Sequence, residues 1–166
     1  VRRYDASDGK KEFLPYDVLR DKHGLPDVRP LYNLPGIATS QTVVIVEGEK
    51  AAQALIDAGI CATTAMGGAN APIDKTDWSP LFGKEVIIWP DNDEPGRKYA
   101  KALAEKLKEQ FIRSLFVLKI PKGKRPKWDA ADAVDEALDI KALLKQKDCV
   151  LPRFFSMDSV GQLEGD

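Results

Sequence analysis

The chain has 166 residues, 43% hydrophobic and 31% charged, a length and balance that suit one globular domain with a core of its own. No aliphatic run exceeds about four residues, as in Val43-Val44-Ile45-Val46, so nothing reaches the roughly 18 that a membrane-spanning helix needs. The net charge of −1 conceals a division: residues 97–127 hold eleven basic and two acidic side chains, +9, which leaves −10 elsewhere and predicts a polyanionic partner for one face and a cation for another.

The sequence starts at Val1 rather than Met and is charged from Arg2, so a piece of a longer protein, without a signal peptide, is expected. Residues 1–40 are punctuated by proline and glycine without a sustained period, which predicts an N-terminal extension or lead-in. Within it Tyr4 to Gly9 reads as a turn, and Phe13 to Leu19 as one arm of a small hairpin. His23, near Gly24 and Pro26, reads as a solvated loop residue rather than a ligand. Arg29-Pro30-Leu31-Tyr32-Asn33-Leu34-Pro35 reads as an extended connector outside the main core, since two prolines disfavour helix and central strand alike.

From Thr42 the pattern changes. Val43-Val44-Ile45-Val46 is a β-branched run, as expected of a parallel strand buried on both faces. Glu47-Gly48 ends it, and Glu49 to Ala58 reads as a helix closed by Gly59. Ile60 to Ala65 is a second strand, followed by Gly67-Gly68. Glu85 to Trp89 is a third strand, stopped by Pro90. Glu94 to Gln110 is a long amphipathic helix, with Tyr99, Ala102, Leu103, Leu107 and Phe111 at helical spacing. Leu115 to Ile120 is a fourth strand, and Asp129 to Leu144 one or two helices. This alternation predicts an α/β fold: an open, mainly parallel, Rossmann-like sheet of about four strands with helices on both faces. The domain is placed at residues 41–148, and residues 149–166 read as a tail or linker to a following domain. Cys61 and Cys149 have neither metal-ligand spacing nor disulfide density, so a reducing, cytoplasmic setting is expected.

Ligands of such sheets bind beyond the carboxyl ends of the strands, where the acids of this chain fall. Glu47 ends the first strand; Asp91 and Asp93 follow the third, in Pro90-Asp91-Asn92-Asp93-Glu94-Pro95-Gly96. If those strands are neighbours, three carboxylates converge. A hard divalent cation, Mg²⁺ or Mn²⁺, would relieve their repulsion. Glu49 and Lys50 stand at a helix start, as a supporting acid and a phosphate contact. Arg97 and Lys98 follow the aspartates and are candidates for nucleotide phosphate. Lys122, Lys124, Arg125 and Lys127 lie in a Pro/Gly loop with no helix face to solubilise, which favours contact with a nucleic-acid backbone. Asp129 and Asp132 read more simply as helix N-terminal charges than as an outer metal site. Trp78, Trp89 and Trp128 read as packing residues, with Trp128, beside the basic loop, the one placed to meet a base.

Val-Glu-Gly-Glu-Lys after a β-branched run, then Asp-x-Asp-x-x-Gly after a second hydrophobic strand, resembles the Toprim domain of primases, topoisomerases and some nucleases, over about Thr42 to Ile120. The resemblance implies that Glu47, Asp91 and Asp93 are the catalytic, metal-binding acids, and that Gly67 and Gly68 form a turn after the second strand and join Lys50, Arg97 and Lys98 as nucleotide- and phosphate-binding candidates. The flanks, Arg29 to Leu34 and Lys127-Trp128-Asp129-Ala130-Ala131-Asp132-Ala133, are similar to primases and primase–helicases of bacteria, phages and mobile elements. That implies Mg²⁺-dependent primer synthesis from NTPs on single-stranded DNA, with flanking zinc-binding and RecA-like helicase domains in the same polypeptide. A Toprim nuclease, or a nucleic-acid-binding module inactive in isolation, are the alternatives.

Overall fold

The computed structural model describes residues 2–5, 11–14, 16–18, 21–68 and 72–151. Two antiparallel ribbons come first, β1 (Arg2–Asp5) with β2 (Lys11–Leu14), and β3 (Tyr16–Asp17) with β4 (Lys22–His23). Residues 6–9 of the expected turn lie outside the described residues. His23 ends β4 rather than lying in a loop, with its ring edge-on to Tyr16.

The centre is a five-stranded sheet of β5 (Thr42–Ile45), β6 (Ala62–Thr63), β7 (Glu85–Ile88), β8 (Ser114–Leu118) and β9 (Lys147–Leu151), in the order β6-β5-β7-β8-β9. The first four pair in parallel and β9 runs antiparallel to β8. The expected fold class holds, with one strand more than the sequence suggested and with Lys147–Leu151 in the sheet rather than leaving it. That strand was hard to read because it lies at an edge: Asp148 and Cys149 are exposed, so Lys-Asp-Cys-Val-Leu has no clean period.

Strand period explains the two-sided core. Val43, Ile45, Val86, Ile88 and Leu115 fill the layer beneath helix α3 (Glu94–Lys108). The alternate residues Val44, Val46, Ile87 and Leu118 pack against α2 (Glu49–Asp57), α4 (Ala130–Asp135) and α5 (Ile140–Leu143). The region read as one or two helices is therefore two. Trp78, Trp89 and Trp128 are all buried, as expected of packing residues.

Two expectations are corrected. Residues 29–40 are not outside the core: Leu31 and Ile37 are buried in the layer under α3, and Tyr32 N–H donates to Thr64 O at 3.1 Å beside β6. Leu34–Thr39 forms a helix, α1, despite Pro35. A proline in the first turn lacks only an N–H that the helix leaves unused there, and Asn33, with φ 59°, accepts from Gly36 N–H to cap it. Ala102 and Phe111 are not on the buried stripe of α3, where Ala100 and Ala104 are buried instead. The helix ends at Lys108, Ile112 takes the buried position, and Phe111 is 83% exposed, edge-to-face with Phe82 at 5.9 Å.

Candidate active site at the carboxyl ends of β5 and β7

β5 and β7 are parallel neighbours, with Ile45 opposite Ile88. The chain leaves β5 toward β6 on one side and leaves β7 toward β8 on the other, so a crevice opens between their carboxyl ends. Glu47 enters it from β5 and Asp91 from β7. The Asp91 backbone N–H donates to Glu47 Oε1 at 2.9 Å, linking the two motifs across 44 residues of sequence.

Glycine makes this approach feasible. A Cβ on Gly96 would lie 2.5 Å from Asp91 O and 2.6 Å from Glu47 Oε1, so the Glu47 carboxylate rests where a side chain would otherwise stand. Gly68, at φ +61°, sits where a Cβ would meet Glu47 O at 2.5 Å. The Gly67-Gly68 turn therefore braces the Glu47 backbone.

Crowding shows in the electrostatics. Burial, and then the charges of Glu47, Asp129, Asp93 and Asp132, push the Asp91 carboxyl up to about 7. Burial also raises Glu47; the Asp91 N–H opposes this, and Asp93 and Asp129 add to it. Asp93 has a further duty as N-cap of α3, where its Oδ1 accepts from Gly96 N–H at 2.8 Å. Asp129 and Asp132 form a reciprocal capping box at the start of α4, the simpler of their two readings, while their charges still reach Asp91.

Among the described residues, no three His, Cys, Asp or Glu side chains are arranged to enclose one metal ion. Glu47 Oε1 and Asp93 Oδ1 are each engaged by a backbone N–H. Their second oxygens and the Asp91 carboxylate remain as hard donors in a crevice of uncompensated negative charge, a donor set that fits Mg²⁺ or Mn²⁺.

The capping role separates the two aspartates. Asn caps a helix about as well as Asp, so Asp93→Asn is expected to leave the metal-free melting temperature nearly unchanged, whereas Asp93→Ala costs about 1 kcal/mol. Thermal unfolding in chelator checks this; equal melting of the Ala and Asn variants contradicts a capping role.

Of the phosphate candidates, Lys50 is exposed in the first turn of α2, beside Glu49. Arg97 and Lys98 both reach Glu94, at 3.3 and 3.6 Å, as exposed pairs worth little in water. Arg97 and Lys101 also flank a groove of about 480 Å³ that opens at Pro90 and Asp91.

The basic loop divides. Lys124 pairs with Glu136 and lies over the Trp128 ring at 4.9 Å, and Arg125 pairs with Asp132 at 2.7 Å. Lys122 and Lys127 have no ion pair among the described residues. Trp128 is fully buried, and its Nε1 donates to Glu136 Oε1 at 3.0 Å, so the expected base contact is corrected: the ring serves as a floor for the loop. Asn92, between the two aspartates, ties the loop to the aspartate motif. Its side chain donates to Lys124 O and Arg125 O, each at 2.9 Å, and its backbone N–H donates to Trp128 O at 2.9 Å. An amide between two acids was the only trace of this in the sequence.

If the loop meets nucleic acid, a Lys122→Ala/Lys127→Ala double variant is expected to weaken single-stranded DNA binding and to flatten its salt dependence by about two counterions' worth of slope. Changing Lys124 and Arg125 should mainly loosen the loop. An unaltered slope in the first variant removes those lysines from the contact surface.

Comparison with known proteins agrees with the geometry. Residues 42–120 match the Toprim domain model. Two curated relatives are the DNA primase DnaG of Thermofilum pendens, 36% identical over 78 residues, and that of Aeropyrum pernix, 27% identical over 78 residues. The match covers 47% of this chain in both cases and only 18% and 19% of those proteins, so the chain spans under a fifth of their length. Among solved structures, a DNA primase domain from Pseudomonas aeruginosa superposes with a TM-score of 0.57 at 21% identity, covering 89% of this chain and 57% of that one. The E. coli primase catalytic core gives 0.53 at 22% identity, covering 72% and 40%. At those identities the likeness is one of fold. The chain carries a Toprim domain, residues 42–120, and through it is a homologue of the DnaG primases.

Proposed function

We propose that this chain is the Toprim part of a primase-type nucleotidyltransferase that makes RNA primers from NTPs on single-stranded DNA, working with Mg²⁺ or Mn²⁺. The observation that carries the reading is the meeting of Glu47 and Asp91 at the ends of adjacent parallel strands, with Asp93 two residues on. Asp91, Asp93 and the open oxygen of Glu47 would hold the cation. Bound there, it would supply charge stabilisation to the oxygens of an in-line phosphoryl displacement. In place of holding the cation, Glu47 would alternatively take the proton of an attacking 3′-hydroxyl, which suits a carboxyl that burial keeps above its ordinary range. Lys50, Arg97 and Lys98 would meet nucleotide phosphates, and Lys122 and Lys127 the template backbone. Zinc-binding and RecA-like domains in the same polypeptide, and a cytoplasmic setting, belong to this proposal. Among the described residues no helix is long and apolar enough to cross a membrane.

The test is incubation with NTPs, single-stranded DNA and Mg²⁺ or Mn²⁺, separating new oligonucleotides from degraded template. New oligomers support the reading, and shortened template favours a nuclease instead. Residues 1–166 alone are expected to prime poorly, because initiation must orient a template and two nucleotides at once, and among the described residues no second module closes over the crevice. Robust template-dependent priming by this chain alone contradicts that expectation.

A further inference from the structure

Helix α3 leaves the outer edge of the sheet partly uncovered on its own face. Val117 of β8 is paired with Ile88 of β7, yet Ile88 is buried while Val117, like Val150 of β9, is only half-buried. Over this edge α3 presents Ala100 and Ala104, four residues apart and so on one face, with side chains too short to close the gap. The result is the groove of about 480 Å³ that opens at Pro90 and Asp91, walled by the two alanines and floored by the two valines. Its volume lies within the roughly 300–1,000 Å³ usual for small-molecule sites.

Charge is confined to one end of this groove. At the mouth Arg97 and Lys101, again four residues apart, stand beside Asp91. Lys101 has no ion pair among the described residues, and the pair of Arg97 with Glu94 is exposed. Two other polar side chains of the lining are already engaged: the Asn92 amide donates to Lys124 O and Arg125 O, and Glu105 pairs with Lys108 at 2.8 Å. A cationic mouth before an apolar floor suits a ligand with an anionic head and an apolar-faced ring, and continuity with the acidic crevice points to a nucleotide.

We propose that this groove seats the base and sugar of a nucleoside triphosphate whose phosphates lie toward Asp91, Arg97 and Lys101, and that it accepts all four bases alike. Burial against aliphatic side chains favours the ring face of every base, and among the described residues no unengaged side chain beyond the mouth is placed to read a base edge. Such tolerance leaves the choice of base to the template. The inference rests on reading the crevice as a nucleotidyl-transfer site and adds where the nucleoside goes.

The test is methyl NMR of the 166-residue chain in Mg²⁺, titrated separately with ATP, GTP, CTP, UTP and inorganic tripolyphosphate. Each nucleotide should shift the Val117 and Val150 methyl resonances, with dissociation constants agreeing within about threefold, and tripolyphosphate should leave both in place. Val117→Phe, which fills the groove, should weaken all four nucleotides about tenfold and bind tripolyphosphate as the parent does. Thermal unfolding checks that this variant folds. Lys101→Glu, on the exposed face of α3, should weaken nucleotides and tripolyphosphate together. Unmoved groove methyls, an equal response to tripolyphosphate, or a preference of more than tenfold for one base each overturn the proposal. If the Gly96 and Arg97 amides respond to nucleotide while the groove methyls stay still, the groove is excluded and the nucleotidyl-transfer reading stands. Groove methyls that respond in a protein that makes no oligomers keep the groove and overturn primer synthesis.

Discussion

Asp91→Asn is expected to raise the melting temperature of the metal-free chain at pH 8, and the gain should fade as the pH is lowered. In the folded state the Asp91 carboxyl titrates near 7 against an ordinary value of 3.8. Between those values the folded chain holds a proton that the unfolded chain has released, so unfolding becomes easier as the pH rises. The stabilisation is whole below about pH 4, declines across the interval, and is gone once the pH passes about 7. A rise of that size would correspond to about 4 kcal/mol, but the group is half-exposed and solvent screens its neighbours, which leaves about 1–2 kcal/mol. Asn keeps the shape without the charge, so the variant should melt about 3–6 °C higher at pH 8 and converge on the parent near pH 4. Added Mg²⁺ or Mn²⁺ should reverse the order, stabilising the parent by mass action and the variant far less. A difference independent of pH would show that Asp91 is not under electrostatic strain; an equal metal response would remove it from the cation site.

Gly96→Ala should damage the domain more than its size suggests. The added methyl group meets the Asp91 carbonyl at 2.5 Å, and that neighbour is backbone just ahead of the N-cap of α3 and cannot yield cheaply. Either α3 retreats or the aspartate segment moves. Overpacking of this kind costs about 1–3 kcal/mol, and the bond from Asp91 N–H to Glu47 should be lost with it. Gly48→Ala is the matched control, beside Glu47 but with nothing within 4 Å of the added carbon. Thermal unfolding and Mn²⁺ binding of both variants decide the matter. Equal behaviour would mean that the close approach at Gly96 does not hold the site together.

Local chemistry made part of the molecule legible along the chain. The β-branched run at Val43 to Val46 reports burial on both faces, because a strand covered twice has no polar side to display. The placement of Glu47, Asp91 and Asp93 at strand ends could be read for a similar reason: the apolar runs stop abruptly, and acids follow.

Partners distant in sequence settled the rest. Leu31 and Ile37 belong to the core because β6 offers backbone groups to pair with, which no window of residues 29–40 reveals. Lys147–Leu151 becomes a strand because β8 has a free edge. The unlike duties of Asp91 and Asp93, alike in sequence, follow from which N–H each one meets: Asp93 caps α3 through Gly96, while Asp91 sits among four other carboxylates. Lys124 and Arg125 are drawn into ion pairs with Glu136 and Asp132, charges that meet them only once α4 folds against the loop. Hydrophobic period is written along the chain, but the pairing of polar groups is decided across it, where one hydrogen bond can join residues 44 apart.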